Sequence, residues 1–451
     1  MFGLIGLLCG LGLLIWLALR DVNIIFAAVL CALVVIVTNG LPFAESLTQS
    51  FTVGELGAFT FAGRFFLLFA AGAVFGKIMG DSHAATSIAM ALVRSLGAHR
   101  ALWITVLACA LLTYGGVVVF VVIFAMYPLG LRLLKEANIP KRLFCGALAL
   151  GAGTFTLTAL PGTPSIHNVI PTLTLGTDLF AAPLLGLFGG GLMFALGMAY
   201  LERERVKAQQ AGEGFEPGPR DVIPDLTEIE KDVPHPVLAI FPLALVIATI
   251  LAPRLAQMAG VEGVAIVEFA SSQPVLWPSI ALVLASLVAI ALFPAVRKTP
   301  LQTMGLGTQD AILPLMATSA VIGFGGVVAQ TQGFALFTDL VVNSGLPPHL
   351  SMFAAASTVS GITGSSSGGL QIFMATLAEP YLALGIEPDE LHRLVAMASG
   401  GFDSLPHCGA VIAMLTITQL THKQAYKEVG VVTVIVPVVA TLATIVLAML
   451  I

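Results

Sequence analysis

Leu160-Pro161-Gly162-Thr163-Pro164 and Leu405-Pro406-His407-Cys408-Gly409 interrupt this hydrophobic chain at matching places, 245 residues apart (405 − 160). Each follows an apolar, helix-like run and precedes another. A membrane helix broken at equivalent points of two halves holds something polar near the bilayer midplane, as secondary transporters do.

The surrounding chain fits that setting. Its 451 residues are 57% hydrophobic and 10% charged, with a mean hydropathy of +0.99. Soluble proteins carry about 25% charged residues, so this is an integral membrane protein. The first apolar run, Gly3 to Leu19, lacks a positive leading segment and a small-residue cleavage site, and reads as a retained helix. Cys9, Cys31, Cys109, Cys145 and Cys408 lie in or beside apolar segments without C-x-x-C spacing. They suggest neither a disulfide framework nor a zinc site. No nucleotide loop, metal cluster or nucleic-acid patch is recognisable.

Apolar runs long enough to cross fall at 3–19, 23–41, 57–80, 143–171, 180–200, 236–252, 276–296, 306–330, 390–420 and 429–451. Blocks 101–133 and 348–383 are too long for one crossing and carry polar or small centres, so they are predicted to be re-entrant hairpins. With hairpins that do not cross, 17 of the 20 basic residues fall on one side; Arg64, Arg254 and Arg393 are the exceptions. The positive-inside rule makes that side cytoplasmic and both termini periplasmic. Residues 201–235, with nine acidic and five basic side chains among Pro and Gly, read as a cytoplasmic tether.

The halves repeat one order of elements: two crossings, a Gly-rich third, a short amphipathic connector (82–97; 331–345), a hairpin, a broken helix and a last helix. Gly76 pairs with Gly326 and Gly97 with Gly345. Five crossings per half is odd, so the second copy is inverted. The predicted fold is all-α, two inverted repeats of five crossings plus one hairpin each.

Four polar clusters carry the candidate chemistry. Thr113, Tyr114, Gly115 and Gly116 form the first hairpin tip. In the first break, Gly162, Thr163, Ser165, His167 and Asn168 surround a new half-helix, with Thr163 predicted as N-cap and Pro164 as its first residue. Such an N-terminus can hold a carboxylate; the alternative is a kink filled by neighbouring side chains. The second tip offers Ser365, Ser366, Ser367 and Gly368, hydroxyls able to bind a carboxylate or coordinate Na⁺. In the second break, Asp403 with Ser404 and His407 sits inside an apolar crossing, where ionisable groups mark function. Asp403, His407 and His167 are the predicted proton carriers; alternatively Asp403 caps the following half-helix. Gly364 to Gly368 also matches G-x-S-x-G, but that motif needs a strand–turn–helix setting, and an enzyme is not the expectation.

GTFTLTALPGTPSIHNVIP (153–171), SGITGSSSGGLQI (360–372) and ASGGFDSLPHCGA (398–410) resemble the gluconate:proton symporter (GntP) family of the ion transporter superfamily. The resemblance implies a homodimer of elevator transporters. The scaffold would be 1–97 and 236–345, the transport domain 98–200 and 346–451, joined by 201–235. It also implies import of a small hydroxy-monocarboxylate with protons into a bacterial cell through the inner membrane. The gluconate members have a P-P-T-P-G-P-like first break, so smaller acids such as 3-hydroxybutyrate fit LPGTPSIHN as well. Na⁺-coupled relatives carry Ser-Asn-Thr tips, absent here, which favours H⁺; Na⁺ symport and cation/proton antiport through Asp403 and Asp310 are the alternatives. No cofactor beyond the coupling ion and no nucleic-acid partner is expected.

Overall fold

A computed structural model describes residues 2–20, 22–117, 119–219, 221, 223, 233–261 and 263–451. Among these all regular structure is helical, with no strand. Five helices are long and apolar enough to cross a membrane, Phe43–Asp81, Pro183–Gln210, Pro236–Met258, Pro300–Ala329 and His422–Ala448. A sixth span arises if Ala265–Ser272 and Leu276–Leu292, bent by 112°, count as one. The other expected crossings are shorter: Phe2–Leu19 and Ile24–Asn39 are single helices, and 143–171 and 390–420 are each split into pieces.

Local chemistry sets the ends. Asn23 caps Ile24–Asn39 by accepting the Ile25 and Phe26 N–H groups, and Gly40 ends it in the left-handed region. Residues Ser46–Val53 form a π-helical lead into Ala58–Asp81, an irregularity that apolar periodicity does not announce. Ala265–Ser272 is likewise an addition to the expected elements.

The helices gather into two groups that also touch each other, chiefly where Ser366–Thr376 meets Pro300–Ala329. In one, Ala58–Asp81 lies along Pro300–Ala329, with Ile24–Asn39 and Leu276–Leu292 beside them. Gly307 allows that closeness, because a Cβ there would sit 2.7 Å from the Val74 Cα. In the other, Lys141–Gly153 packs on Ala101–Tyr114 and His422–Gly430, and Pro388–Ser399 packs on Pro348–Thr363 and Ile166–Leu175. Both predicted hairpins appear as helix–turn–helix pairs, Ala101–Tyr114 with Val119–Ala137 and Pro348–Thr363 with Ser366–Thr376. Each rests on a glycine of its own half's third helix: Val117 and Val121 face Gly76, and Ile372 faces Gly325 rather than Gly326.

The tether expectation needs correction. Helix Pro183–Gln210 continues ten residues into 201–235, because its charged stretch is made of good helix formers. Beyond it the chain is strapped down. Arg142 pairs with Glu213 at 2.7 Å, and Asn138 accepts the Phe215 N–H. Asp221 accepts from Lys141 (2.7 Å), Tyr127 (2.6 Å), Gln419 (2.9 Å) and the Gly218 N–H (2.6 Å). Lys427 with Glu204 and Arg142 with Glu428 extend this network. Residues 220, 222 and 224–232 of the linker, including Arg220 and Lys231 of the charge count, lie outside the described residues.

This network predicts acid sensitivity. Burial alone would raise the Asp221 carboxyl, but its bonds to Lys141, Tyr127 and Gly218 hold it below the ordinary carboxylate range. The Arg142 hydrogen bond lowers Glu213 likewise. A carboxyl depressed in the folded state adds stability that is present above its unfolded value, about 4, and is lost as pH falls through the lower folded value. Melting temperature should therefore drop below about pH 4. Asp221→Asn should flatten that drop in a fluorescence-detected melt.

Candidate functional site

Breaking a helix in lipid releases carbonyls that must find donors, and finding those donors locates the site. In the first break, Lys141–Gly153 is followed by the short turn Phe155–Thr158, then irregular chain to Ile166. Tyr114 donates to the Pro161 carbonyl (2.9 Å), so the first hairpin tip clasps the break. Gly116, with φ of +94°, lies against Pro164; a Cβ there would sit 2.9 Å from the Pro164 Cγ. Thr113 is buried and bonded to Gly151 and Thr156, and Gly115 abuts Leu243. Gly162 donates its N–H to the Leu179 carbonyl (2.9 Å), tying the break to the chain ahead of Pro183–Gln210.

The predicted cap is displaced by two residues. Ser165, not Thr163, caps Ile166–Leu175, accepting the His167 N–H. Its hydroxyl also donates to the Leu157 carbonyl (2.7 Å), tying the new half-helix to the old. Thr163 Oγ1 is fully buried without a partner among the described residues.

Asn168 is committed to the break, donating to the Leu160 and Thr163 carbonyls (both 3.1 Å). Its carbonyl accepts from Arg393 (2.6 Å). The same guanidinium reaches the Ala159, Leu179 and Ala181 carbonyls. Arg393, one of the three basic residues that charge counting leaves off the crowded side, is completely buried.

The second break runs from Pro388–Ser399 through the single turn Phe402–Ser404 to Gly409–Thr418. His422 pairs with the Pro406 carbonyl (2.8 Å) and Tyr426 donates to that of Ser404 (3.1 Å). His407 bonds the Gly361 carbonyl (3.0 Å) and packs beneath Gly364, so it pins the second tip. Cys408 occupies the N-cap without a side-chain bond, so Asp403 does not cap that half-helix. At the second tip Ser365 caps Ser366–Thr376, accepting the Gly368 N–H (3.2 Å), and Ser367 lies 3.3 Å from Ser365. The half-helix thus starts at Ser366.

The two breaks meet through Ser366. His167 Nε2 and Ser366 Oγ are 2.8 Å apart, and the same hydroxyl lies close to the Asp403 carboxyl. Ser404 donates to Asp403 as well (3.2 Å). His167, Ser366 and Asp403 are 3%, 8% and 9% exposed, so the cluster is shut away from bulk water. Its order differs from a hydrolase triad, in which the acid orients the histidine. Here His167 Nδ1 faces Ser165 and the acid lies beside the serine.

Gln371, one turn beyond Ser367, is buried with its carbonyl unpartnered among the described residues. Sequence reasoning passed over it, though a lone amide in an apolar hairpin arm was signal enough. Arg393, His422 and Tyr426 were also missed as donors. Asp310 is exposed, so it shares no buried site with Asp403.

The GntP family permease model matches residues 2–451. The transporter YxjC of Bacillus subtilis is 39% identical over 96% of each chain. A gluconate permease of Pseudomonas aeruginosa is 26% identical over 79% of this chain and 77% of its own. The high-affinity gluconate transporter of Escherichia coli is 24% identical over 88% and 87%. In fold, the crystal structure of the YdaH transporter of Alcanivorax borkumensis superposes with a TM-score of 0.54 at 14% identity, covering 86% of both chains. With the family model spanning essentially its whole length, the chain belongs to the GntP permeases, a family of membrane transporters.

Proposed function

We propose that this permease imports a small hydroxy-monocarboxylate together with protons across a bacterial inner membrane, by an elevator motion. The observation that carries the reading is the buried Asp403–Ser366–His167 cluster at the junction of both breaks and the second hairpin tip. An ionised side chain there is expensive, so a proton and an anion are best moved as a pair. Ser366 can accept from one neighbour while donating to the other, which makes it a relay between the acid and the imidazole. The N-termini of Ile166–Leu175 and Ser366–Thr376 meet at this cluster and supply free N–H groups for a carboxylate. Unpartnered Thr163 and Gln371 suit substrate hydroxyls.

The grouping of Ala58–Asp81, Pro300–Ala329, Ile24–Asn39 and Leu276–Leu292 around one another is what supports a scaffold (1–97, 236–345) distinct from a transport domain (98–200, 346–451). Glycine contacts at Gly76 and Gly325 suit sliding between them. The matching hairpin–glycine contacts support an inverted repeat, and the homodimer follows from the family reading. Gathering Lys141, Arg142, Lys427 and the linker acids in one network supports a cytoplasmic face there, with both termini opposite.

Uptake of radiolabelled 3-hydroxybutyrate and gluconate into proteoliposomes tests this. Accumulation should follow an imposed pH gradient and vanish when an ionophore collapses it. Accumulation that ignores the ionophore and requires Na⁺ would replace H⁺ with Na⁺ as the coupling ion.

A further inference from the structure

A cleft of about 900 Å³ opens where the first amphipathic connector meets the first hairpin and the charged end of Pro183–Gln210. Its wall is apolar near Trp103, Leu107 and Ile139, and Trp103 packs edge-on against Phe194 at 5.8 Å. Its rim is charged. Both acidic lining residues are engaged, Glu202 by Arg205 (2.6 Å) and Glu213 by Arg142 (2.7 Å). His99 and Arg100 also line the cleft, are exposed, and have no ion pair among the described residues. The rim therefore presents unmatched positive charge beside an apolar slot.

A cleft lined by a tryptophan and aliphatic side chains together with Arg100 and His99 suits one occupant at a membrane surface. Apolar walls receive acyl chain while cations hold a headgroup phosphate. We infer that this cleft binds an anionic phospholipid, its phosphate held by Arg100 with His99 and its chain lying along Trp103, Leu107 and Ile139. Inorganic phosphate would use the rim alone and leave the apolar slot empty, so acyl chain is part of the recognition. Nothing in this site depends on the transported substrate.

The test uses the delipidated full chain in detergent, titrated with phosphatidylglycerol, phosphatidylcholine or glycerol 3-phosphate and read by native mass spectrometry. Phosphatidylglycerol should be retained over phosphatidylcholine, and glycerol 3-phosphate should not compete at equal concentration. Arg100→Ala should weaken phosphatidylglycerol retention about fivefold, the effect of one cation at a lipid surface, while Arg100→Lys and the distant Arg297→Ala leave it near wild type. Should Arg100→Ala fail to fold, the wild-type preference must still fall as salt is raised, because the contact is a screened surface charge. Unchanged retention in the doubly substituted His99→Ala/Arg100→Ala protein, equal retention of both lipids, or full competition by glycerol 3-phosphate would each overturn the assignment. The readout is lipid binding rather than uptake, so its failure leaves the transport reading standing, and the reverse.

Discussion

Arg393→Ala is expected to destabilise the protein by more than about 4 kcal/mol. The guanidinium serves four acceptors from two separate segments: Ala159, the Asn168 side chain, Leu179 and Ala181. Each acceptor left unsatisfied in a buried site costs about 1–3 kcal/mol, and no bulk water reaches this depth. Arg393→Lys should recover only part of the loss, because an ammonium cannot span all four acceptors as the planar fork does. Arg393→Ala and Asn168→Ala should also combine less than additively, since each removes the partner of the other. Melting temperature and the fraction of monodisperse protein after extraction measure this. An Arg393→Ala protein that elutes normally and melts within a few degrees of wild type would show that the first break holds itself open without the arginine.

That arginine illustrates what was legible in the sequence and what was not. Pro161, Pro406 and the serine- and glycine-rich tips stand out against apolar surroundings, so both breaks and both hairpins were readable from local composition. All four lie in continuous contact, from Tyr114 on Pro161, through His167 on Ser366, to Gly364 on His407. The partners of the released carbonyls were not readable. Arg393 lies 225 residues from Asn168, and no local rule links such positions. The cap illustrates a subtler limit, since Thr163 and Ser165 both satisfy capping preferences. The Leu157 carbonyl decides for Ser165, and it lies eight residues back across the break. The linker misled for a related reason. Mixed charge with Pro and Gly describes a solvated tether on average, yet single contacts at Glu213, Phe215 and Asp221 are enough to strap it down.

Asp403→Asn should abolish concentrative uptake while sparing exchange. Asparagine matches the protonated acid in shape and keeps a group for Ser366 and Ser404 to bond, so the breaks and the tip should stay assembled. It cannot take up or release a proton, so the carrier would cycle loaded or empty without sensing the gradient. One proton per substrate supports about tenfold accumulation for each pH unit across the membrane, because 1.4 kcal/mol is a factor of ten. In Asp403→Asn that tenfold should fall to equilibration, with counterflow of labelled against unlabelled substrate preserved. Ser366→Ala separates the relay from the carrier. It removes the hydroxyl that joins Asp403 to His167 but leaves the acid in place, so final accumulation should persist while its approach slows. His407→Gln, acting on the Gly361 carbonyl rather than on this cluster, should lower stability before it touches coupling. Full gradient-driven accumulation by Asp403→Asn would move the proton to another group, and His167, the other ionisable partner of Ser366, would then be the residue to substitute.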